Sequence, residues 1–212
     1  MEKKICNRHF ITFEGPEGGG KSTQINKLAE YLESKGHTVI VTREPGGTKL
    51  GGELRGMILN PYNTVIGDRT ELLLFQADRA QHIKEIIIPA LEKGFFVLCD
   101  RFTDSTIAYQ VGGRGFPRET INYLNEFSAY GLTPELTILL DVDYAVGIKR
   151  ATKIATDRFE NESAVFHSII RAKYLEIQKA EPERVKLINT TQNSVEVITE
   201  QIIKVVNDKY GF

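Results

Sequence analysis

The chain has 212 residues, 41% of them hydrophobic, with 27 basic against 28 acidic side chains and a net charge of -1. This length and composition fit one core-forming domain and exclude a disordered, collagen-like or whole-chain coiled-coil protein. The balanced charge speaks against a general polyanion binder, so no nucleic-acid partner is expected and phosphate chemistry has to come from individually placed cations.

Two cysteines, Cys6 and Cys99, make neither a disulfide framework nor a zinc site. No apolar run reaches the ~18 residues of a membrane span. The opening MEKKICNRHF lacks the apolar stretch of a signal peptide. A cytoplasmic protein without a membrane partner is the expectation.

His9–Glu14 (HFITFE) reads as a strand, and Lys21–Lys35 as a helix with Ile25, Leu28, Ala29 and Leu32 on one face, ending at Gly36. Thr38–Arg43 is a second strand, and Lys49–Leu59 a helix that Asn60-Pro61 ends. Thr70–Lys93 reads as a long helix, bent or broken near Pro89 and capped by Gly94. Phe95–Asp100 is a third strand, and Pro117–Tyr130 a helix with proline at its start. Glu135–Val142 is a fourth strand, Asn161–Ala180 a helix, Val185–Asn189 a fifth strand and Val195–Lys209 a last helix. The strands are apolar runs rather than clean alternations, as parallel strands covered on both faces are. The fold class expected is α/β: a five-stranded, mostly parallel sheet with helices on both faces, residues 1–212 forming one domain. Ligands then belong beyond the carboxyl ends of the strands.

Gly15-Pro16-Glu17-Gly18-Gly19-Gly20-Lys21-Ser22 matches G-x-x-x-x-G-K-[ST] in full, between a strand and a helix. Its glycines let backbone wrap around phosphates, and loop N–H groups with the helix N-terminus face the anion. Gly15, Pro16, Glu17, Gly18, Gly19, Gly20, Lys21, Ser22 and Thr23 are therefore the candidate ATP-phosphate residues. Lys21 brings a point charge to the β- and γ-phosphates, and Ser22 offers a hydroxyl to Mg²⁺. No N-K-x-D guanine-reading motif follows a strand.

Physical reading of the remaining candidates leaves alternatives open. Arg43-Glu44-Pro45-Gly46-Gly47 lies at the carboxyl end of a strand, where a ligand sits, but is also an ordinary Pro/Gly turn. Arg55 is a fork suited to an oxyanion or a solvated helical charge. Phe75 and Arg79, spaced i, i+4, suit stacking and hydrogen bonding to a nucleobase. Alternatively, Phe75 is core and Arg79 pairs with Glu71 or Asp78. Asp100 ends an apolar strand like a water-mediated Mg²⁺ holder, or caps a helix. Tyr109 is a half-buried aromatic or a ligand platform. The histidines and cysteines are read as core or surface residues.

Taken together, the phosphate loop, REPGGT before Leu54-Arg55, LFQADRAQH, DRF running into STIAYQ, and Asp157-Arg158-Phe159-Glu160 resemble the bacterial type of thymidylate kinase, in that family's order. The resemblance spans about Phe10 to Ala180. It implies transfer of the ATP γ-phosphate to dTMP with Mg²⁺ on a nucleoside-monophosphate-kinase fold, in a homodimer. It implies that Pro45 lies against thymine, Arg55 holds the dTMP phosphate, and Phe75 and Arg79 bind the base. Thr106 and Gln110 would touch the base, and Tyr109 would lie under the deoxyribose, leaving no room for a 2′-hydroxyl. Arg101 would stand between donor and acceptor phosphates, and Glu17 would meet the 3′-hydroxyl. The loop has no arginine, so the remaining catalytic cations are expected from a lid at about 150–160: Arg150, Lys153 and Arg158. The competing readings are a kinase for another small substrate and a nucleotide-switched binding module.

Overall fold

The computed structural model describes residues 7–62, 66–151, 158–159 and 162–212. Five strands, β1 (Phe10–Glu14), β2 (Val39–Arg43), β3 (Phe96–Asp100), β4 (Leu136–Asp141) and β5 (Val185–Asn189), form one sheet in the order β2-β3-β1-β4-β5. Every pairing is parallel. Successive side chains alternate between two apolar layers, which is why the strands read as continuous apolar runs. Ile11, Phe13, Leu98 and Ile138 pack with Leu28 and Leu32 of α1 (Lys21–Ser34) and Ile198 and Ile202 of α9 (Val195–Tyr210). Phe10, Val97 and Cys99 face the other way, against Ile83, Ile87 and Phe102. A third layer gathers Leu72 of α3 (Asp68–His82), Ile121 of α6 (Arg118–Ser128) and Ile170 and Tyr174 of α8 (Ala164–Ala180).

The winding changes sides at β1, and the crevice at such a switch point is where an α/β sheet takes its ligand. Register fixes which residues reach it: Asp100 lies level with Phe13 on one side and Arg43 on the other. The loop after β1, the Glu44-Pro45 turn after β2 and the Asp100-Arg101 end of β3 therefore share one edge.

Helix α2 runs Lys49–Leu59 as expected, with the Thr48 side chain accepting from the Gly51 N–H. The predicted 70–93 helix differs in a specific way. The chain stays helical from Asp68 to Glu92, but Ile83–Ile87 forms wide i→i+5 turns before α4 (Ile88–Glu92). Pro89 offers no N–H, and its ring crowds the carbonyl four residues back; widening the preceding turn accommodates it without a break. A second wide stretch, Ile107–Gly113, follows the short α5 (Thr103–Thr106), so Tyr109 and Gln110 sit on π-type rather than α-type turns. The predicted helix from Asn161 begins at Ala164, capped by Ser163; residue 161 itself lies outside the described residues.

Candidate active site

Gly20 caps α1 in a left-handed conformation and makes no side-chain cap, so no side chain of the cap consumes the first N–H groups of the helix. Gly18, at φ 71°, packs against α7 (Tyr144–Ala151) so closely that a Cβ would lie 2.1 Å from the Gly147 carbonyl oxygen. Lys21 folds back over the loop, and its Nζ donates to the carbonyls of Gly15 (3.1 Å) and Pro16 (3.0 Å). Burial and the neighbouring Arg101 charge pull its pKa below the ordinary lysine value. Beside it, Ser22 Oγ donates to Asp100 Oδ2 at 3.1 Å.

Arg101 occupies a left-handed backbone conformation, φ 69°, a costly one for a side-chain-bearing residue and a feature that clusters at functional sites. Its Nη1 donates to Gly15 O (3.2 Å), Ser105 Oγ (3.2 Å) and Tyr174 Oη (3.0 Å), and its Nη2 to Glu17. The guanidinium lies 5.2 Å from the centre of the Tyr109 ring. Burial pushes the Glu17 carboxyl up, but Arg101 and Lys21 more than reverse this and hold it at about 2. Glu14 lies beneath. It accepts from the Phe102 N–H (2.7 Å), Ser105 Oγ (2.6 Å) and Tyr174 Oη (3.0 Å), and burial with the Asp104 charge raises it to about 7.

Arg79 pairs with neither Glu71 nor Asp78. Its Nε donates to Glu44 Oε2 (2.8 Å) and its Nη1 to Asn125 Oδ1 (2.8 Å). Glu44 is 35 residues upstream on the turn after β2, so helical spacing could not reveal it. The other Glu44 oxygen meets His82 Nδ1 at 3.0 Å, and His82 Nε2 meets Thr42 Oγ1 at 2.6 Å. His82, read as a bland core residue, thus fixes the carboxylate that orients Arg79. Arg55 Nη1 donates to Pro45 O at 2.8 Å.

One cavity of about 860 Å³ is lined by Glu17, Gly18, Gly19, Gly20, Lys21, Ser22, Thr23, Asp100, Arg101 and Arg150, and equally by Pro45, Arg55, Phe75, Arg79, Thr106, Tyr109 and Gln110. Gly15, Pro16 and Arg158 are not on its wall. Arg158 turns instead to Glu71 Oε2 (2.6 Å) and Ile58 O (3.0 Å). Lys153 lies outside the described residues, as do Asp157, Glu160 and Cys6. Arg150 reaches Thr190 O at 3.1 Å.

Sequence reasoning missed several wall residues. Phe159 lines the cavity, its ring 6.0 Å from that of Phe75 and 5.7 Å from that of Tyr109. The quoted Asp157-Arg158-Phe159-Glu160 contained it, yet only the charges drew attention. Asn193, Ser194, Val195 and Ile198 line the cavity where α9 begins, with the Ser194 side chain capping that helix. Among the described residues no group of three or more His, Cys, Asp or Glu could hold a metal ion alone. Ser22 Oγ and the Asp100 carboxylate are hard oxygen donors, the set that holds a divalent cation jointly with phosphate oxygens.

A family model described as thymidylate kinase matches residues 13–202. The chain is 48% identical over 202 residues to a thymidylate kinase of Pelobacter propionicus, covering 92% of each chain. It is 50% identical over 190 residues to one of Geotalea uraniireducens, covering 86% of this chain and 89% of the other. The crystal structure of thymidylate kinase from Ehrlichia chaffeensis superposes with a TM-score of 0.77 at 35% identity, over 93% of this chain and 97% of that one. With the phosphate loop opening into one large cavity, a family model matching residues 13–202 and relatives matching over nearly the whole chain, the chain belongs to the thymidylate kinase family.

Proposed function

We propose that this cavity moves the γ-phosphate of ATP onto dTMP, giving dTDP and ADP, with the residues in the following roles. The observation that carries the assignment is that the phosphate loop and the Phe75–Arg79–Gln110 face open into the same cavity, with Arg101 between them. The loop N–H groups and Lys21 hold the donor phosphates. Ser22 and Asp100 would hold Mg²⁺, which would neutralise charge on the donor phosphate oxygens. Arg101 draws together the charge that spreads over the transferring group. Arg55 holds the acceptor phosphate, Phe75 stacks on thymine beside Pro45 and Thr106, and Tyr109 excludes a 2′-hydroxyl. Glu17 holds the 3′-hydroxyl as well as Arg101. Arg150 supplies the lid-side cation on the wall; Lys153 shares this role, and Arg158 joins it only if the lid rearranges. Residues 1–212 act as one domain with a lid at about 150–160, in the cytoplasm. A homodimer is supported by apolar side chains standing in water on α3 and α6: Leu73, Tyr123 and Phe127 are 57%, 68% and 73% exposed.

Base discrimination tests the reading. Arg79 spends Nε and Nη1 on Glu44 and Asn125, and it lines the cavity as a donor for thymine O4, where cytosine has an amino donor. A buried donor facing a donor rejects an analogue by roughly four orders of magnitude, whereas one methyl group is worth only ~1–3 kcal/mol. kcat/KM should therefore rank dTMP, then dUMP, then dCMP far behind, and Arg79→Ala should compress the ranking. Equal turnover of dCMP and dTMP by the native enzyme overturns the base-site assignment.

A further inference from the structure

We infer that Glu71 is a positioning residue for base recognition, holding the Gln110 amide so that its oxygen faces the base. The inference rests on the assignment of the Phe75–Arg79–Gln110 face to thymine. Glu71 is fully buried and projects from the first turn of α3. Its Oε1 accepts from Gln110 Nε2 (3.0 Å) and Arg114 Nε (3.2 Å), and its Oε2 from Arg114 Nη2 (3.2 Å) and Arg158 Nη2 (2.6 Å).

An ionised carboxylate only accepts, so the amide group beside it has one allowed orientation, N–H₂ toward Glu71. The Gln110 oxygen is then the end left over. Gln110 lines the cavity, and among the described residues its Oε1 accepts no hydrogen bond. An acceptor there suits the N3–H of thymine. Cytosine carries an acceptor at N3, so the same oxygen would repel it. Together with the Arg79 donor, the wall presents one donor and one acceptor, the complement of thymine's O4 and N3–H and the reverse of cytosine's edge.

The second oxygen of Glu71 also accepts from Arg158. Arg158 also gives its Nε to Ile58 O (3.0 Å) and its backbone N–H to Leu59 O (3.2 Å), and it seats the adjacent Phe159, 5% exposed, against Phe75 and Tyr109. One carboxylate thus sets the polarity of the base reader and holds the arginine next to Phe159, a ring of the same cavity wall.

The test is Glu71→Gln, assayed with dTMP and dCMP. The new amide keeps its oxygen on the two guanidiniums, where the bonds are charge-assisted. Its N–H₂, at the Oε1 position, then meets the N–H₂ of Gln110 and the Nε–H of Arg114, and turns the Gln110 amide over. The expected result is a rise in KM for dTMP with kcat changed less, and a fall of roughly a hundredfold or more in the dTMP:dCMP ratio of kcat/KM, the scale on which mismatched buried polar groups discriminate. Arg158→Ala leaves the Glu71–Gln110 bond in place and should keep the ratio within about threefold. An unchanged ratio in a folded Glu71→Gln protein overturns the inference. Gln110→Leu separates the two claims: if it too leaves the ratio unchanged, the base-site assignment fails, and if it alone lowers the ratio, only the role of Glu71 fails. A substrate-side measurement covers the case in which Glu71→Gln does not fold. 3-Deaza-dUMP carries C–H in place of N3–H and should lose about a hundredfold in kcat/KM against dUMP on the native enzyme; equal turnover overturns the inference.

Discussion

Lys21 is held in place before any nucleotide arrives, because two carbonyls of its own loop accept from its Nζ. A charge preorganised in this way needs no reorganisation when the phosphate comes in, which is where electrostatic catalysis gains most. Removing one preorganised donor of this kind typically costs about 3 kcal/mol or more in the transition state. Lys21→Ala should therefore lower kcat by at least a hundredfold while the melting temperature stays close to native, since the side chain fills no apolar layer. Steady-state kinetics beside a thermal melt check it, and near-native kcat would remove Lys21 from the transition state. At this scale the sequence was informative wherever a residue acts through a near neighbour in the chain, as in the phosphate loop. It was silent where the partner is distant. Glu17, the carboxylate inside the loop, pairs with Arg101, 84 positions on.

Elements were legible where one physical demand dominates. The strands follow from two-sided burial, and α2 from its stop at Asn60-Pro61. The π-type turns at Ile83–Ile87 and Ile107–Gly113 have no periodic signature of their own, so the long helix was read as bent or broken near Pro89 rather than widened before it. The same α3 carries an electrostatic cost. Asp78 is 1% exposed; its Oδ1 accepts from the Gly46 N–H at 2.9 Å, and among the described residues its Oδ2 has no hydrogen-bond partner. Burial, followed by the nearby Glu44 charge, raises its pKa from 3.8 to about 6. The folded protein then holds a proton there that the unfolded chain releases, so stability contributed by this group falls as pH rises from about 4 to about 6 and stays lower above that. Asp78→Asn keeps the bond to Gly46 and removes the charge. At ~1.4 kcal/mol per pH unit of displacement, the gain above pH 6 is roughly 2–3 kcal/mol, or several degrees in Tm for a chain of this size. Melts of both proteins at pH 4, 6 and 8 should coincide most closely at pH 4 and diverge at pH 8, the variant melting higher. A variant that melts lower at pH 8 would mean that Asp78 is ionised at a profit in the folded state. Glu14 is displaced in the same direction by burial and by Asp104, to about 7, and adds its own slope up to that pH.

For the molecule as a whole, the sheet order brings the phosphate loop and the opposite wall of the cavity to a single side chain. Arg101 ends β3 in a left-handed turn and spans from the carbonyl of Gly15 in the phosphate loop to Tyr174 on α8, with Tyr109 beneath its guanidinium. Three elements far apart in sequence thus converge on one fork, and no local pattern could have shown how many of its donors are already engaged. Phosphoryl transfer asks for positioning and for charge spread across several equatorial oxygens, rather than for covalent chemistry by the protein. A guanidinium can hold Glu17 and the loop with some donors while presenting others to the transferring group; an ammonium on a flexible stem cannot divide itself in that way. Arg101→Lys keeps the charge and loses the fork. It should therefore bind both substrates with KM values within a few-fold of native, yet lose roughly a hundredfold in kcat, an effect made only in the transition state. Initial rates over a grid of ATP and dTMP concentrations separate the two outcomes. A variant that raises the KM for dTMP with kcat intact would instead make Arg101 a ground-state clamp for the acceptor phosphate, and the stabilising cations would then have to come from Lys21 and the lid.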